Sequence, residues 1–312
     1  MVADVRQLLD GGNISLLDVG SAGGIEPRWK PYRSLIKYAG VEPDARSSAA
    51  LMQSPEAGLF ADYRILPHAV WSRNDVITFN LCRKPMVSSH FLPRREFVSR
   101  YPQSERYDIS TTASISCQTI DNVLSTNGLQ CDFIKLDIQG GELAVLEGGG
   151  KSLDRCLGLE IEVEFVRIYE DQPLFGEVCA FLETKGLEFI DFTSFNRWER
   201  SQYRGFGQCV FGDALFLRTP ENLVSGLTRG LFGTDDIKRY LAVLRIYARM
   251  DLMEQSLRLL GGHEGFEPGY LEEAGAVVQR LKTYLKRSAV VLRVMTPVAR
   301  LLNPSARLHL VY

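Results

Sequence analysis

Ile14-Ser15-Leu16-Leu17-Asp18-Val19-Gly20-Ser21-Ala22-Gly23-Gly24 is the stretch whose reading decides the fold. Its first six residues are an apolar, strand-prone run with an acid near the end, and the rest is a glycine-rich turn. A buried strand feeding such a turn is the opening unit of an open α/β sheet, where ligands bind outside the carboxyl ends of the strands. Glycine lets the backbone approach a ligand closely, and the N–H groups that follow are free to meet it. A dinucleotide turn needs Gly-x-Gly-x-x-Gly, and Ala22 in the middle position rules it out. What remains is Asp18, suited to a cationic group such as the amino group of an amino acid, then Gly20, Ala22 and Gly24 at alternate positions.

Moving outward, Pro27 through Ile36 reads as a helix, and Tyr38 to Glu42 as a second strand. Glu42 at that strand's end is placed to accept both hydroxyls of a ribose, and Asp44 to cap the next helix. Ile65–Val70 and Val76–Asn80 are further strands. The polar stretch from about Leu81 to Ser114 is too long for an ordinary connection, so it reads as a lid or an inserted hairpin. Helix and strand then alternate again: Asp121–Leu124 (helix), Cys131–Asp137 (strand), Glu142–Glu147 (helix), Leu157–Val163 (strand), Phe175–Lys185 (helix). Glu188–Phe192 and Gln208–Leu217 close the series as adjacent strands. The expectation is a doubly wound, mostly parallel α/β sheet with an antiparallel edge strand. After Pro220 only helices follow, which divides the chain into residues 1–220 and a C-terminal helical appendage, 221–312.

Composition narrows the class. The chain has 312 residues, 45% hydrophobic, with 36 basic and 38 acidic side chains, so neither disorder nor a polyanionic partner is expected. Six scattered cysteines without a Cys-x-x-Cys pair give no zinc or redox motif. No secretory signal or spanning segment is legible, and the expected setting is cytoplasmic.

The turn at Asp18–Gly24 resembles the first motif of class I S-adenosylmethionine-dependent methyltransferases. Thr119-Ile-Asp-Asn-Val-Leu, followed by Asp132-Phe-Ile-Lys-Leu-Asp-Ile-Gln-Gly-Gly-Glu-Leu-Ala-Val-Leu-Glu-Gly148, is similar to the signature of FkbM-type methyltransferases. Leu159-Glu-Ile-Glu-Val-Glu164 and Gln172-Pro-Leu-Phe175 fit the same family. The resemblance spans about residues 14–217, with one departure at Gly141, where the family more often has Ala. It implies a Rossmann-like fold, S-adenosylmethionine as cofactor, and O-methylation of hydroxyl groups, as in polysaccharide biosynthesis. Asp18, Gly20, Ser21, Ala22, Gly24, Glu42, Pro43 and Val70 are the cofactor-binding residues it implies, with Val70 against the adenine.

Methyl transfer from a sulfonium to a hydroxyl is an in-line displacement, assisted by positioning and by a general base. Asp137 ends the strand that should face the methyl group, with Gln139 and Glu142 just beyond it. Glu160, Glu162 and Glu164 share one strand face by period 2, and carboxylates are unusual in a sheet buried on both sides. Asp137, Glu160 and His90 are therefore the catalytic candidates. Ser88, Ser89, Gln139, Glu142 and Glu162 are the candidates for holding a hydroxylated small molecule or glycan. Acids on neighbouring strand ends also suit Mg²⁺, but no Asp-Asn pair follows the second of them, and the reading is without a metal. Arg94, Arg95, Arg100 and Arg106 read either as an anion site or as a loop paired with Glu96 and Glu105.

Residues 280–312 hold seven Lys or Arg and no acid, and Lys286, Arg293, Arg300 and Arg307 recur every seven residues. On a helix that is a basic stripe, suited to a membrane surface or to packing on the same domain or a second copy. No aromatic platform accompanies the charge, so nucleic acid is not expected. The alternative to an enzyme is a catalytically silent nucleoside-binding scaffold acting through its C-terminal helices.

Overall fold

A computed structural model describes residues 1–201, 207–261, 263, 265–267, 269–284 and 286. The strands are β1 (Ile14–Val19), β2 (Ile36–Val41), β3 (Asp62–Leu66), β4 (Ala69–Val70), β5 (Asp75–Cys82), β6 (Ile109–Gln118), β7 (Phe133–Leu136), β8 (Gly158–Glu164), β9 (Leu187–Phe192), β10 (Asn196–Trp198) and β11 (Gln208–Arg218). The helices are α1 (Val2–Leu9), α2 (Ala45–Met52), α3 (Arg95–Val98), α4 (Ile120–Thr126), α5 (Glu142–Glu147), α6 (Gly150–Arg155), α7 (Phe175–Thr184), α8 (Pro220–Thr228), α9 (Thr234–Ile246) and α10 (Met250–Leu259). Residues 270–284 are also helical.

The central sheet runs in the order β10-β11-β8-β7-β1-β2-β3, with β9 also paired to β11. β1, β2, β3, β7 and β8 are mutually parallel. The antiparallel pairing expected near the sheet's end is made by β11, which runs against β8, β9 and β10. From β1 the chain goes out through β2 and β3, then returns to lay β7 on the other side. That reversal of strand order puts the ligand crevice beyond the carboxyl ends of β1 and β7.

Both faces of the sheet are covered, which explains why β1 and β7 are mostly apolar and makes the three glutamates of β8 exceptional. One face packs Leu17, Ile134 and Leu159 under α4 to α7. The other packs Leu16, Ile36 and Phe133 under α1, α8 to α10 and the helix at 270–284. In α9 five consecutive residues, Tyr240 to Leu244, are completely buried. Five consecutive positions go round more than a full turn, so this part of α9 is enclosed by the core on every side. Its last turn is tied to the N-terminal helix by Arg245, 2.8 Å from Asp4, both nearly buried.

The 81–114 stretch is an inserted hairpin. β5 and β6 pair antiparallel over its length and add β4 at one side as a separate sheet. Its tip packs Cys82, Val87, Phe97, Val98, Tyr101 and Tyr107 on Ile168 and Tyr169, which follow β8.

Three local expectations change. Pro27 through Ile36 is not a regular helix; only Lys30–Leu35 coils, as a 3₁₀ turn with Pro31 in its first positions. Ile65–Val70 is not one strand, because Pro67 has no N–H for the ladder, and the two parts join different sheets. Residues 234–260, whose apolar spacing predicts one amphipathic helix, are two helices, broken where Ala248 takes a left-handed φ of 55°. Arg293, Pro297, Arg300 and Arg307 lie outside the described residues. No helix among the described residues is long and apolar enough to cross a membrane.

Leu241→Ala should lower stability by about 2–5 kcal/mol, read from the urea midpoint. A chain ending at residue 220 should expose the face that α9 covers and bind a hydrophobic dye or aggregate. A soluble, cooperatively unfolding 1–220 fragment would show that the helices are a separable appendage.

Candidate active site

Gly20 closes the crevice. Its φ is +82°, and a Cβ on it would sit 1.9 Å from the carbonyl oxygen of Asp137. Only glycine allows the first turn to lie directly against the end of β7. The turn continues as one 3₁₀ coil, Ser21–Gly23, with Gly20 N–H bonded to the Val41 carbonyl (3.0 Å) and Gly24 N–H to that of Ser21 (2.8 Å). Ala22 and Gly23 are exposed, and the Ser21 hydroxyl is buried without a hydrogen-bond partner. Glu42 reaches back to this turn from the end of β2: its carboxylate is buried and accepts N–H groups of Asp44 (2.8 Å) and Ala22. Asp44 caps α2 by accepting from Arg46 and Ser47 N–H, as expected. Pro43 is exposed beside it, and Val70 is buried in β4.

Asp18 lies one residue back in β1, 5% exposed, with Tyr38 Oη donating to it at 2.7 Å. Burial pushes its pKa up to about 6, against the pull of that hydrogen bond and of Lys135.

Across the crevice, the carboxyl ends of β7 and β8 bring three acids together. Carboxylate oxygens of Asp137, Glu142 and Glu162 all lie within 4.8 Å of one another. The Asp137 side chain is 42% exposed, and Glu142 and Glu162 are buried behind it. Glu142, at the start of α5, accepts the Ile138 N–H at 2.8 Å, and burial pushes its pKa up to about 7. Burial also raises Glu162, reinforced by Asp137 and Glu142. Lys135 stands 3.1 Å from Asp213 and 4.0 Å from Asp137.

The turn between these acids is strained. Gln139 has φ +63°, a conformation that costs a non-glycine residue energy, and Gly140 follows at +98°. Two contacts hold it. The Ser89 hydroxyl donates to the Gln139 carbonyl at 2.7 Å, and Gln139 Nε2 donates to Glu162 (3.1 Å) and more weakly to Asp137 (3.4 Å). Beneath it, completely buried Gln172 accepts the N–H groups of Ile168 and Tyr169 and packs on Gly140.

The other candidates fall differently. Ser88 accepts the Cys82 N–H at 3.0 Å and Ser89 clips the strained turn, so both serine hydroxyls are engaged in holding the insertion. Glu160 points to the helix-covered side, where Tyr247 Oη donates to it at 2.6 Å and Thr193 Oγ1 takes its other oxygen. It is not brought to the acid group, because it sits one strand period further from the carboxyl end. The His90 ring packs tilted against Trp71 (4.8 Å between centroids), with Nδ1 2.8 Å from the Thr78 carbonyl. Arg95 pairs with Asp108, Arg94 and Arg100 with Glu96, and Arg106 lies over Trp198.

Trp71 is the residue that sequence reading missed. Its ring fills the space above Gly141, where an added Cβ would meet it at 2.5 Å. The family's more usual Ala does not fit under this tryptophan, which accounts for the glycine. Nothing local in the sequence links positions 71 and 141.

A family profile described as "Methyltransferase FkbM domain" matches residues 32–189, about half of the chain. The chain belongs to the FkbM methyltransferase family. Its cofactor is S-adenosylmethionine. No curated protein matches the chain. Among solved structures, it is similar to a TehB-like S-adenosylmethionine-dependent methyltransferase from Corynebacterium glutamicum (14% identity, 69% of this chain and 88% of that one, TM-score 0.31). It is also similar to magnesium protoporphyrin IX methyltransferase from Synechocystis with bound S-adenosylhomocysteine (9% identity, 70% and 83%, TM-score 0.34). Likeness at that level says nothing about the acceptor.

Two outcomes follow for this FkbM protein. Gly141→Ala should cost about 1–3 kcal/mol by overpacking, and Trp71→Leu in the same chain should recover much of it, measured as a double-mutant cycle. Asp18 is raised in the folded state, so the stability it contributes is complete below pH ~4 and lost as pH rises through about 6. The loss should total on the order of 3 kcal/mol. Asp18→Asn should flatten that part of the stability–pH curve.

Proposed function

We propose that the protein transfers the methyl group of S-adenosylmethionine to a hydroxyl of a glycan or small hydroxylated metabolite, in the cytoplasm and in polysaccharide biosynthesis. The observation that carries this reading is the half-exposed Asp137, set against the Gly20 turn with two buried acids behind it. A hydroxyl is a weak nucleophile, and an open carboxylate beside the transferred carbon is the group it needs.

In this reading Glu42 takes the ribose hydroxyls and Asp18 faces the amino group. The backbone at Gly20, Ser21, Ala22 and Gly24 follows the methionine part, with Pro43 and Val70 flanking the nucleoside. The acceptor oxygen attacks in line with the sulfonium: a C–O bond forms, the C–S bond breaks, and sulfur leaves as a neutral thioether. The hydroxyl proton passes to the Asp137 carboxylate. Gln139 supports Asp137 from behind, and His90 on Trp71 forms the insertion's side of the acceptor space.

The test is turnover of methyl-labelled cofactor against a panel of sugars, glycans and hydroxylated metabolites, with the label recovered in a base-stable methyl ether. Asp137→Asn should lower turnover by about 10²–10⁴-fold while S-adenosylhomocysteine affinity holds. Glu42→Ala should weaken that affinity by about 1.5–3 kcal/mol in calorimetry. Unchanged affinity in Glu42→Ala, or full activity in Asp137→Asn, would overturn these assignments.

A further inference from the structure

The Ser89 hydroxyl is out of an acceptor's reach, because the residue is 1% exposed. Its hydrogen-bonding groups are also in use. Ser89 Oγ accepts the Phe91 N–H at 3.2 Å, so its single hydrogen goes to the Gln139 carbonyl at 2.7 Å. What it touches is the backbone of the turn between Asp137 and Glu142, 50 residues further along the chain.

The other side of this contact is anchored on β5. Asn80, at 4% exposure, pairs its N–H and carbonyl with those of Ser89 at 2.8 and 3.2 Å. Its Nδ2 donates to the carbonyls of His90 (2.9 Å) and Phe91 (3.2 Å). Residues 89–91 are thereby held as one piece, and Ser89 reaches the turn from a firm support.

The turn needs that support. Gln139 stands at φ +63°, a conformation that glycine adopts freely and glutamine does not. Glycine would remove the strain, but it would also remove the amide that this backbone carries across the turn. Gln139 Nε2 lies 3.4 Å from Asp137 Oδ1 and 3.1 Å from Glu162 Oε1, while Lys135 Nζ lies 4.0 Å from Asp137 Oδ2. The two oxygens of Asp137 therefore face different partners, and the rotation of the carboxylate depends on where Gln139 stands. Relaxed to a negative φ, Gln139 would carry its amide away and leave the half-exposed carboxylate free to turn.

We propose that Ser89 is a positioning residue for methyl transfer: by holding the Gln139 carbonyl it keeps the strained turn in place and, through the Gln139 amide, aims the Asp137 carboxylate at the acceptor hydroxyl. The inference rests on the reading of Asp137 as the proton acceptor. It gives the insertion a part in the chemistry through a residue that never meets substrate.

The experiment compares the full-length wild type with Ser89→Ala, Gln139→Gly and the double variant. The readout is transfer of labelled methyl from S-adenosylmethionine to the acceptor that the wild type methylates best. Ser89→Ala should lower kcat by about 10–10²-fold and leave KM for both substrates unchanged, since it misplaces a group rather than removing a binding contact. In the Gln139→Gly background Ser89→Ala should have no further effect, because the amide it acts through is gone. Hydrogen exchange of the amides at 138–142 should be faster in Ser89→Ala, and calorimetry with S-adenosylhomocysteine checks that each variant is folded. Should Ser89→Ala not fold, Ser89→Cys, a weaker donor of similar shape, takes its place with a smaller expected loss of kcat. An unchanged kcat in the folded Ser89 variant overturns the proposal. So does an equal loss of kcat with and without the Gln139 side chain, which is the result a merely structural contact would give. If the wild type binds S-adenosylhomocysteine but methylates no acceptor, the reading of Asp137 fails first and the role of Ser89 falls with it.

Discussion

The closest backbone approach in the crevice is the one between Gly20 and the Asp137 carbonyl, where a single added carbon would stand 1.9 Å from oxygen. It fixes the glycine-rich turn at the end of β1 against the acids at the end of β7. Hydrogen bonds then radiate from the same point: Gly20 to β2, Glu42 back to Ala22, Glu142 to Ile138. A turn held a few ångströms further off would leave the same residues in place and the carboxylates out of reach.

Polar groups inside a sheet covered on both faces are expensive, and this protein keeps several. It handles them in two ways. On the helix-covered side, Asp18 and Glu160 are satisfied by tyrosines, Tyr38 from the next strand and Tyr247 from just beyond α9. At the carboxyl edge the acids face one another instead and receive few donors. The first arrangement is settled by hydrogen bonds alone.

Legibility in the sequence followed the distance over which information had to travel. The β1 strand and its turn, the Asp44 cap, and the shared strand face of Glu162 and Glu164 depend on residues within a few positions, and they read correctly. The strand alternation was likewise local and gave the sheet. What failed to read were matches between distant segments. Nothing near Gly141 announces Trp71, and nothing near Ser88 and Ser89 announces their contacts with the Cys82 N–H and the Gln139 carbonyl. The helix at 234–246 looked amphipathic because Lys238, Arg239 and Arg245 break its apolar run. Arg239 and Arg245 in fact pair with Asp132, Asp236 and Asp4, so these two charges do not keep the helix at the surface, and only its first turn, at Asp235, is exposed.

The pairing of α1 with α9 spans 241 residues, from Asp4 to Arg245. It therefore sets a clock on biosynthesis. At about 5–20 residues per second, the N-terminal helix leaves the ribosome roughly 10–50 s before the helix it packs against has been made. Through that interval Val5, Leu8 and Leu9, buried in the finished protein, have no permanent partner on that side. Residues 1–220 can lay out a sheet in that time but cannot cover its second face. An apolar helix face and one side of the sheet therefore stay exposed until the last part of synthesis.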